Sequence, residues 1–581
     1  MTHTLLNKIN RLSNWQIALV IAVVGLAVFS SGLTNTFQGD DQSQIVENVP
    51  VHSISHIKLF FEGGTFYNGQ GTTPLSGIYY RPLMTTVFSL LYTLFGPHPF
   101  YFHLLQTLLF IASAYIFYLL LRFSFTPLLS VTLALVFLVH PLNSQVVFAI
   151  PSMQDALFFF FGILAIYLLI KYRSVKSLIA VAACLFLSLL SKESGFLFLV
   201  MALLYLFWFD RKRLKPFLSI IALPLILYFS LKIHAVGLNG HPQNAPIGKL
   251  NLAGRLLTAP SIFIFFFTKL VLPIKLASGY YWTYSSFSLR HVLLPLVTGL
   301  TIFALFTYLG FIIRKRVDEP VLYTYWFFVI WAFLGLLLHL QIFPLDMTVA
   351  ETWFYFAMAG FLGAIGVMIK AFEEQINLKV LFFAMMCIIV IFGVRTAVRG
   401  HDWSNQLLLA QKDITASKEN YHAYDQVGGY LIQKYKFNDA EVYERSSIDI
   451  FPTFQNYSNL GETLTGQGKY AEAKKAYTTS LGFGHYSKAS ENLAILTLVY
   501  GSPQENRQFF LRALNNFPHD PVLWTYLALF QAQHGDSNGA KLAISNATKY
   551  GNVSDEIYNR IMNDQPFQYN LTGTPIRVNI Q

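Results

Sequence analysis

Residues 15–41 read WQIALVIAVVGLAVFSSGLTNTFQGDD. The apolar run from Trp15 to about Leu33 is long enough to cross a bilayer, and just past it stand two adjacent acids, Asp40 and Asp41. Only 12% of the 581 residues are charged while 54% are hydrophobic, so carboxylates this close to a span point to a functional surface. A mean hydropathy of +0.46 and repeated apolar stretches of roughly 18 or more residues assign the chain to a lipid solvent rather than to several soluble domains. Ser30, Ser31 and Gly32 also allow the first run to be read as a cleavable signal. The further spans that follow favour an uncleaved anchor.

Those spans lie near residues 100–121, 127–141, 152–170, 176–191, 195–209 and 214–235, and then near 291–313, 321–341, 352–370 and 378–395. A net charge of +11 raises the question of nucleic acid, but the cations fall in short clusters between apolar runs. Arg211, Lys212, Arg213 and Lys215 form one such cluster, and Arg314, Lys315 and Arg316 another. This is the positive-inside pattern of a polytopic membrane protein. With Lys8 and Arg11 in the cytoplasm, Arg122, the Lys171–Lys176 group and Arg211–Lys215 fall on the same side. The run Leu256–Leu276 contains Pro260, Lys269, Pro273 and Lys275, and counting it as a span would move Arg314–Arg316 outside. It is therefore read as a re-entrant or interfacial helix on the outer face, and Arg81–Gly96, short for a span, as a second one. About eleven spans remain, an odd number, so everything after Arg395 lies outside. Cys184 and Cys387 both fall in apolar runs and support neither a disulfide nor a zinc site.

After Arg395 the chain turns polar and repeats itself at about 33–34 residues, the tetratricopeptide period. One unit reads Tyr457, Leu460, Gly461, Leu464, Ala473, Tyr477 and Leu481, with Val427–Gly428, Leu493–Ala494 and Leu527–Ala528 in register. A small residue beside a bulky one at each phase lets neighbouring helices approach, which predicts stacked helix pairs rather than a generic helical domain. The fold class is thus all-α, a membrane helix bundle followed by an α-solenoid. The expected divisions are a membrane domain over 1–395 with its outer loop at 34–99, a connector over 396–419, repeats over 420–553 and a tail over 554–581.

The polar residues assigned to the outer face come from distant parts of the chain: Asp40, Asp41, Arg81, His140, Asp155, Lys192, Glu193, Asp346 and Glu351 among them. If the spans form one bundle, these residues converge on a pocket with acids for proton abstraction and cations for an anionic group. Asp40 and Asp41 point apart in an extended loop, so one acts and the other supports, or else both are a solvated pair capping a helix. Arg81 starts a helix before Pro82, either to fork onto a phosphate or to snorkel at the interface. Lys192 sits where the orientation rule disfavours cations, so it asks for an anion, and Glu193 is the nearest in sequence. His140, Asp155 and Glu351 stand at span mouths as binding or as structural groups. No GxGxxG, Walker loop, HExxH or CxxC pattern occurs, so no metal ligand set is assigned, and a divalent cation on the carboxylates has no motif behind it. The sequons at Asn456, Asn546, Asn552 and Asn570 are too short to carry weight.

With these residues in view, the chain resembles the transmembrane and tetratricopeptide-repeat O-mannosyltransferases, and more widely the C-fold glycosyltransferases that use polyprenyl-phosphate sugars. FQGDDQSQIVEN (Phe37–Asn48) looks like the acidic first loop, YRPL (Tyr80–Leu83) and FHLL (Phe102–Leu105) like the signatures after it. HPLNSQVVFAIPSMQD (His140–Asp155), SKESG (Ser191–Gly195), AETWFY (Ala350–Tyr355) and RGHDW (Arg399–Trp403) follow in the family's order. Thr352 stands where the family tends to have arginine, and Met153–Gln154 replace the usual Gly-Arg before the acid. The resemblance implies a membrane glycosyltransferase with no certain cofactor and a polyprenyl-phosphate sugar as donor substrate. It further implies catalysis by an acid of the first loop, Asp40 or Asp41, with Arg81, His140, Asp155, Lys192, Glu193 and Glu351 around the donor. Mannose, a protein acceptor met by the repeats, and an inner-membrane location with the repeats on the outer or periplasmic side complete the expectation; membrane lipids are partners, nucleic acid is not. The competing classes are a transporter or flippase, and an envelope scaffold that docks through the repeats.

Overall fold

The computed structural model describes residues 12–67, 75–237, 245–484, 486–566, 569–572 and 577–580. Lys8 and Arg11, on which the charge reading starts, lie outside the described residues. Two compact units divide near Lys412. The first runs through α1 (Asn14–Phe29), α2 (Pro82–Phe95), α3 (Pro99–Leu121), α4 (Pro127–Val139), α5 (Met153–Lys171), α6 (Ser177–Ser191) and α7 (Gly195–Phe209). It continues with α8 (Arg211–Val236), α9 (Leu252–Val271), α10 (Leu294–Arg314), α11 (Glu319–Leu337), α12 (Tyr355–Ala371) and α13 (Leu378–Asp402).

Nine helices among the described residues are long and apolar enough to cross a bilayer, or ten when Pro127–Val139 and Pro141–Phe148, bent by 52°, count as one span. Eight of the nine, the bent pair and the shorter helices α6 and α7 correspond to the expected spans. The ninth is α9, which the charge reading assigns to the interface; its mean hydropathy of 1.4 is the lowest of the set. Its two ends are tied to the same end of the bundle. Arg255 donates to the Gln341 carbonyl at 3.0 Å, while the Leu270 carbonyl lies 3.0 Å from His140 Nε2. Helix α2 is held in the same region. His52 of the first loop stacks on Tyr92 with centroids 4.0 Å apart, and a core of Ile45, Val51, Phe60, Met84, Phe88 and Met153 fixes the loop against α2 and the start of α5.

The bundle closes by small residues where helices cross. Along α12, a Cβ at Gly360 would stand 2.8 Å from the Phe328 carbonyl oxygen of α11 and press on the Ala332 backbone. In lipid, where apolar burial does not drive helices together, such close van der Waals approach is a principal source of association.

The second unit consists of helix pairs. α14 (Gln406–Ala416) leads into α15 (Tyr421–Gln433) with α16 (Phe437–Ile450), α17 (Phe454–Gly466) with α18 (Tyr470–Phe483), α19 (Ser487–Tyr500) with α20 (Pro503–Asn516), and α21 (Pro521–Gln533) with α22 (Ser537–Tyr550), before α23 (Asp555–Met562). The first helices of successive pairs start at Tyr421, Phe454, Ser487 and Pro521, so the repeat length is 33 or 34 residues, as the sequence phase predicts. Gly461 explains the phase: a Cβ there would meet the Tyr477 ring at 2.6 Å. Asn456, in one of the sequons, is fully buried and bonded to Ser447 and the Phe451 carbonyl. Two small antiparallel ribbons, Phe66–Tyr67 with Leu75–Ser76 and Tyr569–Thr572 with Arg577–Ile580, are the only strands among the described residues.

Gly360→Leu should separate α11 from α12 at a cost of about 1–3 kcal/mol. A lowered unfolding midpoint in detergent checks this; an unchanged midpoint would show that the crossing tolerates a side chain.

Candidate active site

The two acids of the first loop have different surroundings. Gly39 takes a left-handed conformation, φ +54°, and turns the chain immediately before them. The backbone then winds through Gln42–Val46, with the Gln44 N–H donating to the Asp40 carbonyl at 2.9 Å. Asp41 faces inward, 3% exposed, and one carboxyl oxygen accepts the Gln38 N–H at 2.8 Å. Burial pushes this carboxyl up to about 8 against the opposing effect of that hydrogen bond, with the nearby Asp40 charge adding to the rise. Asp40 faces outward and is exposed to solvent at a recess whose walls crowd its carboxyl. That crowding, reinforced by Asp346 and opposed by Arg81, holds its carboxyl above the ordinary carboxylate range. Gln38 anchors the whole turn through its amide, which donates to the Trp403 carbonyl at 2.7 Å.

Arg81 is placed by the residue after it. Pro82 opens α2 and excludes Arg81 from helical angles, leaving φ −137°, ψ 55°, so the guanidinium departs from the helix start. It lies 4.1 Å over the Tyr79 ring and 4.0 Å from Glu193. Tyr79 in turn hydrogen-bonds to Asp346, linking Arg81 back to the Asp40 side of the recess.

Lys192 and Glu193 occupy the tight turn between α6 and α7. A side chain at Gly195 would strike the Ser188 carbonyl carbon at 2.7 Å, so only glycine lets α7 start this close to the end of α6. Lys192 is extended and buried, and its ammonium meets the buried Asp155 carboxylate at 2.6 Å. Its partner is thus Asp155, not the adjacent Glu193. Glu193 lies between two cations, Arg81 at 4.0 Å and Lys232 of α8 at 3.5 Å. Burial raises the Glu193 carboxyl, but Arg81, Lys232, its own backbone N–H and Lys192 together hold it below its usual value.

His140 and Glu351 belong to different contacts. One ring nitrogen of His140 accepts the Leu142 N–H at 3.2 Å and the other approaches the Leu270 carbonyl, so the residue caps its own turn and fastens α9. Glu351, fully buried, accepts from the Ala277 N–H at 2.8 Å and the Tyr280 hydroxyl at 3.0 Å, with Arg399 4.0 Å away. Thr352 is buried, and the guanidinium beside Glu351 comes from Arg399 instead. The structure therefore joins Asp40, Arg81, Asp155, Lys192 and Glu193 through successive turns and seats Asp41, His140 and Glu351 in supporting contacts. Asp346 and Tyr79 complete the recess, and Lys232, absent from the outer-face residues read from sequence, is added to it. Its signal was a lone cation near the end of a span away from the basic clusters, the same anomaly that singled out Lys192.

Removing one member of the buried pair should be costly. Asp155→Ala strands the Lys192 ammonium and should destabilise by about 3–5 kcal/mol, read as a fall in thermal midpoint, with the double change Asp155→Leu/Lys192→Met milder. Folding holds Asp41 above its ordinary 3.8, so its contribution to stability is full below that value and is lost as pH rises through about 8. Asp41→Asn keeps an acceptor for Gln38 and should flatten that decline in a pH series of unfolding midpoints.

No family model matches the chain. A curated relative, protein O-mannosyl-transferase TMTC3 of Mus musculus, is 23% identical over 508 residues, covering 80% of this chain and 54% of its own. Protein O-mannosyl-transferase TMTC2 of Mus musculus is 28% identical over 219 residues, 35% of this chain and 25% of its own. The chain spans about half the length of the TMTC3 relatives it matches. Among solved structures, the APC/C hetero-tetramer Cut9–Hcn1 aligns with 78% of each chain at 12% identity and a TM-score of 0.25; the repeat assignment stands on the helix pairs themselves. The chain is an integral membrane protein with a helical repeat array, similar in sequence to the protein O-mannosyl-transferases TMTC3 and TMTC2.

Proposed function

We propose that the chain is a membrane glycosyltransferase that moves a sugar, mannose by analogy with its relatives, from a polyprenyl-phosphate donor to a hydroxyl on protein. The observation that carries this reading is the placement of Asp40: a carboxylate open to a recess, with Arg81 as its electrostatic partner and the Glu193–Lys232 and Lys192–Asp155 pairs beyond Arg81. A proton acceptor and cations for a leaving phosphate are the two parts a single displacement needs.

In this mechanism the acceptor oxygen attacks the anomeric carbon as Asp40 takes its proton. The bond from that carbon to the phosphate oxygen breaks, and polyprenyl phosphate leaves with the electron pair. Configuration inverts in one step. Arg81 is the principal phosphate ligand, with its guanidinium fork, while Glu193 and Tyr79 hold that fork in place. Asp155 holds the Lys192 ammonium in place behind it. Asp41 shapes the turn that aims Asp40. The charge pattern supports a plasma (inner) membrane protein with a cytoplasmic N-terminus and with recess and repeats on the outer side. The repeats then recruit the acceptor protein. The membrane domain of this reading is 1–395 and the repeats 420–553, joined by 396–419 and followed by the tail 554–581.

Transfer from polyprenyl-phosphate mannose to peptide tests the assignment. Asp40→Asn should lower turnover by about 10²–10⁴-fold, and Asp41→Asn far less. Full activity in Asp40→Asn removes it as base. Arg81→Ala should raise KM for the donor. Because Asp346 raises the Asp40 carboxyl and Arg81 lowers it, Asp346→Asn should move the acidic limb of the kcat/KM profile to lower pH and Arg81→Gln to higher pH.

A further inference from the structure

A cavity of about 420 Å³ opens at the end of the bundle away from Asp40, between the turn that joins α3 to α4 and the turn that joins α12 to α13. Its place follows from the chain path: α3 starts at Pro99 near the recess end and finishes at Leu121, and α13 starts at Leu378 and finishes beside Trp403, where Gln38 is anchored. Leu129, Ile369, Leu381 and Met385 line its apolar part. Gly366 lets Phe125 approach α12 from behind, since a Cβ there would lie 2.8 Å from the ring.

The rim is cationic. Arg122 donates to the Phe125 carbonyl, and Lys370 donates to the Ser124 carbonyl at 3.0 Å. Both cations are thus held by neutral acceptors, and among the described residues no carboxylate stands within ion-pair distance of either. Glu373 is the one acid in the lining. Arg316 stacks over Phe372 at 4.7 Å, which brings the Arg314–Arg316 cluster to the same turn. An apolar slot with two cations at its mouth, at the basic end of a membrane bundle, matches an acyl chain topped by a phosphate headgroup.

We propose that this cavity is a binding site for an anionic phospholipid, its headgroup phosphate on Arg122 and Lys370 and an acyl chain along Leu129, Leu381 and Met385. It is separate from the recess of Asp40 and does not depend on what that recess does.

The full chain, delipidated in a neutral detergent, is offered phosphatidylglycerol or phosphatidylcholine with identical chains, and adducts are counted by native mass spectrometry. The expected result is preferential retention of phosphatidylglycerol. Lys370→Gln should weaken it about fivefold, the effect of one interfacial cation. Leu381→Trp fills the slot without changing charge and should weaken it too, so a misfolded Lys370 variant does not decide the matter. Lys212→Gln, in a basic cluster outside the cavity, should leave retention unchanged. Equal retention of both lipids, retention unaffected by both cavity variants, or displacement by millimolar inorganic phosphate alone would each overturn the proposal.

Discussion

A charge taken out of water at the mouth of a helix bundle has to meet its opposite, and the site end of this protein is organised by that requirement. Lys192 is buried against Asp155 at 2.6 Å, and Glu193 is shared by Arg81 and Lys232. These pairings draw together α2, the α5 start, the α6–α7 turn and the α8 end, four places separated by up to about 150 residues of chain. Asp40 keeps a raised proton affinity chiefly because protein crowds its carboxyl, with Asp346 adding to the rise and Arg81 opposing it. A carboxylate fully paired with a cation would be a poor proton acceptor; one beside both a cation and an acid is better placed.

The second charged set has a different purpose. Glu351 is held by the Ala277 N–H and the Tyr280 hydroxyl, and Arg399 bridges toward Glu351 and, at 3.7 Å, toward Asp402. Those contacts fasten the end of α13 to the mouth of the bundle, where Gln38 also docks on the Trp403 carbonyl. The turn that carries Asp40 is therefore braced from behind by the last helix of the membrane unit. Glycines act in the same service. Gly39 reverses the chain before the acids, Gly195 admits a turn too tight for a side chain, and Gly360 lets two helices touch along their backbones.

Much of this was legible in the chain. The apolar runs and the small-beside-bulky phase of the repeats each follow from a solvent or packing rule that acts locally. The same holds for YRPL, where proline sets the conformation of the arginine before it. Pairing was not legible, because it depends on which helix ends become neighbours. Sequence proximity suggested Glu193 for Lys192, whereas the partner is Asp155, thirty-seven residues away. Lys232 went unnoticed for the same reason, and Arg399 lay in a motif read only as the entry to the repeats.

The sequence alone determined that this is a helical membrane protein with a tetratricopeptide array, because hydropathy and helical phase are properties of short stretches. Only the tertiary structure decided which acid faces the recess. Asp40 and Asp41 are chemically identical neighbours, and the backbone turn at Gly39, together with the Gln38 N–H that takes up Asp41, turns one toward solvent and the other into the fold.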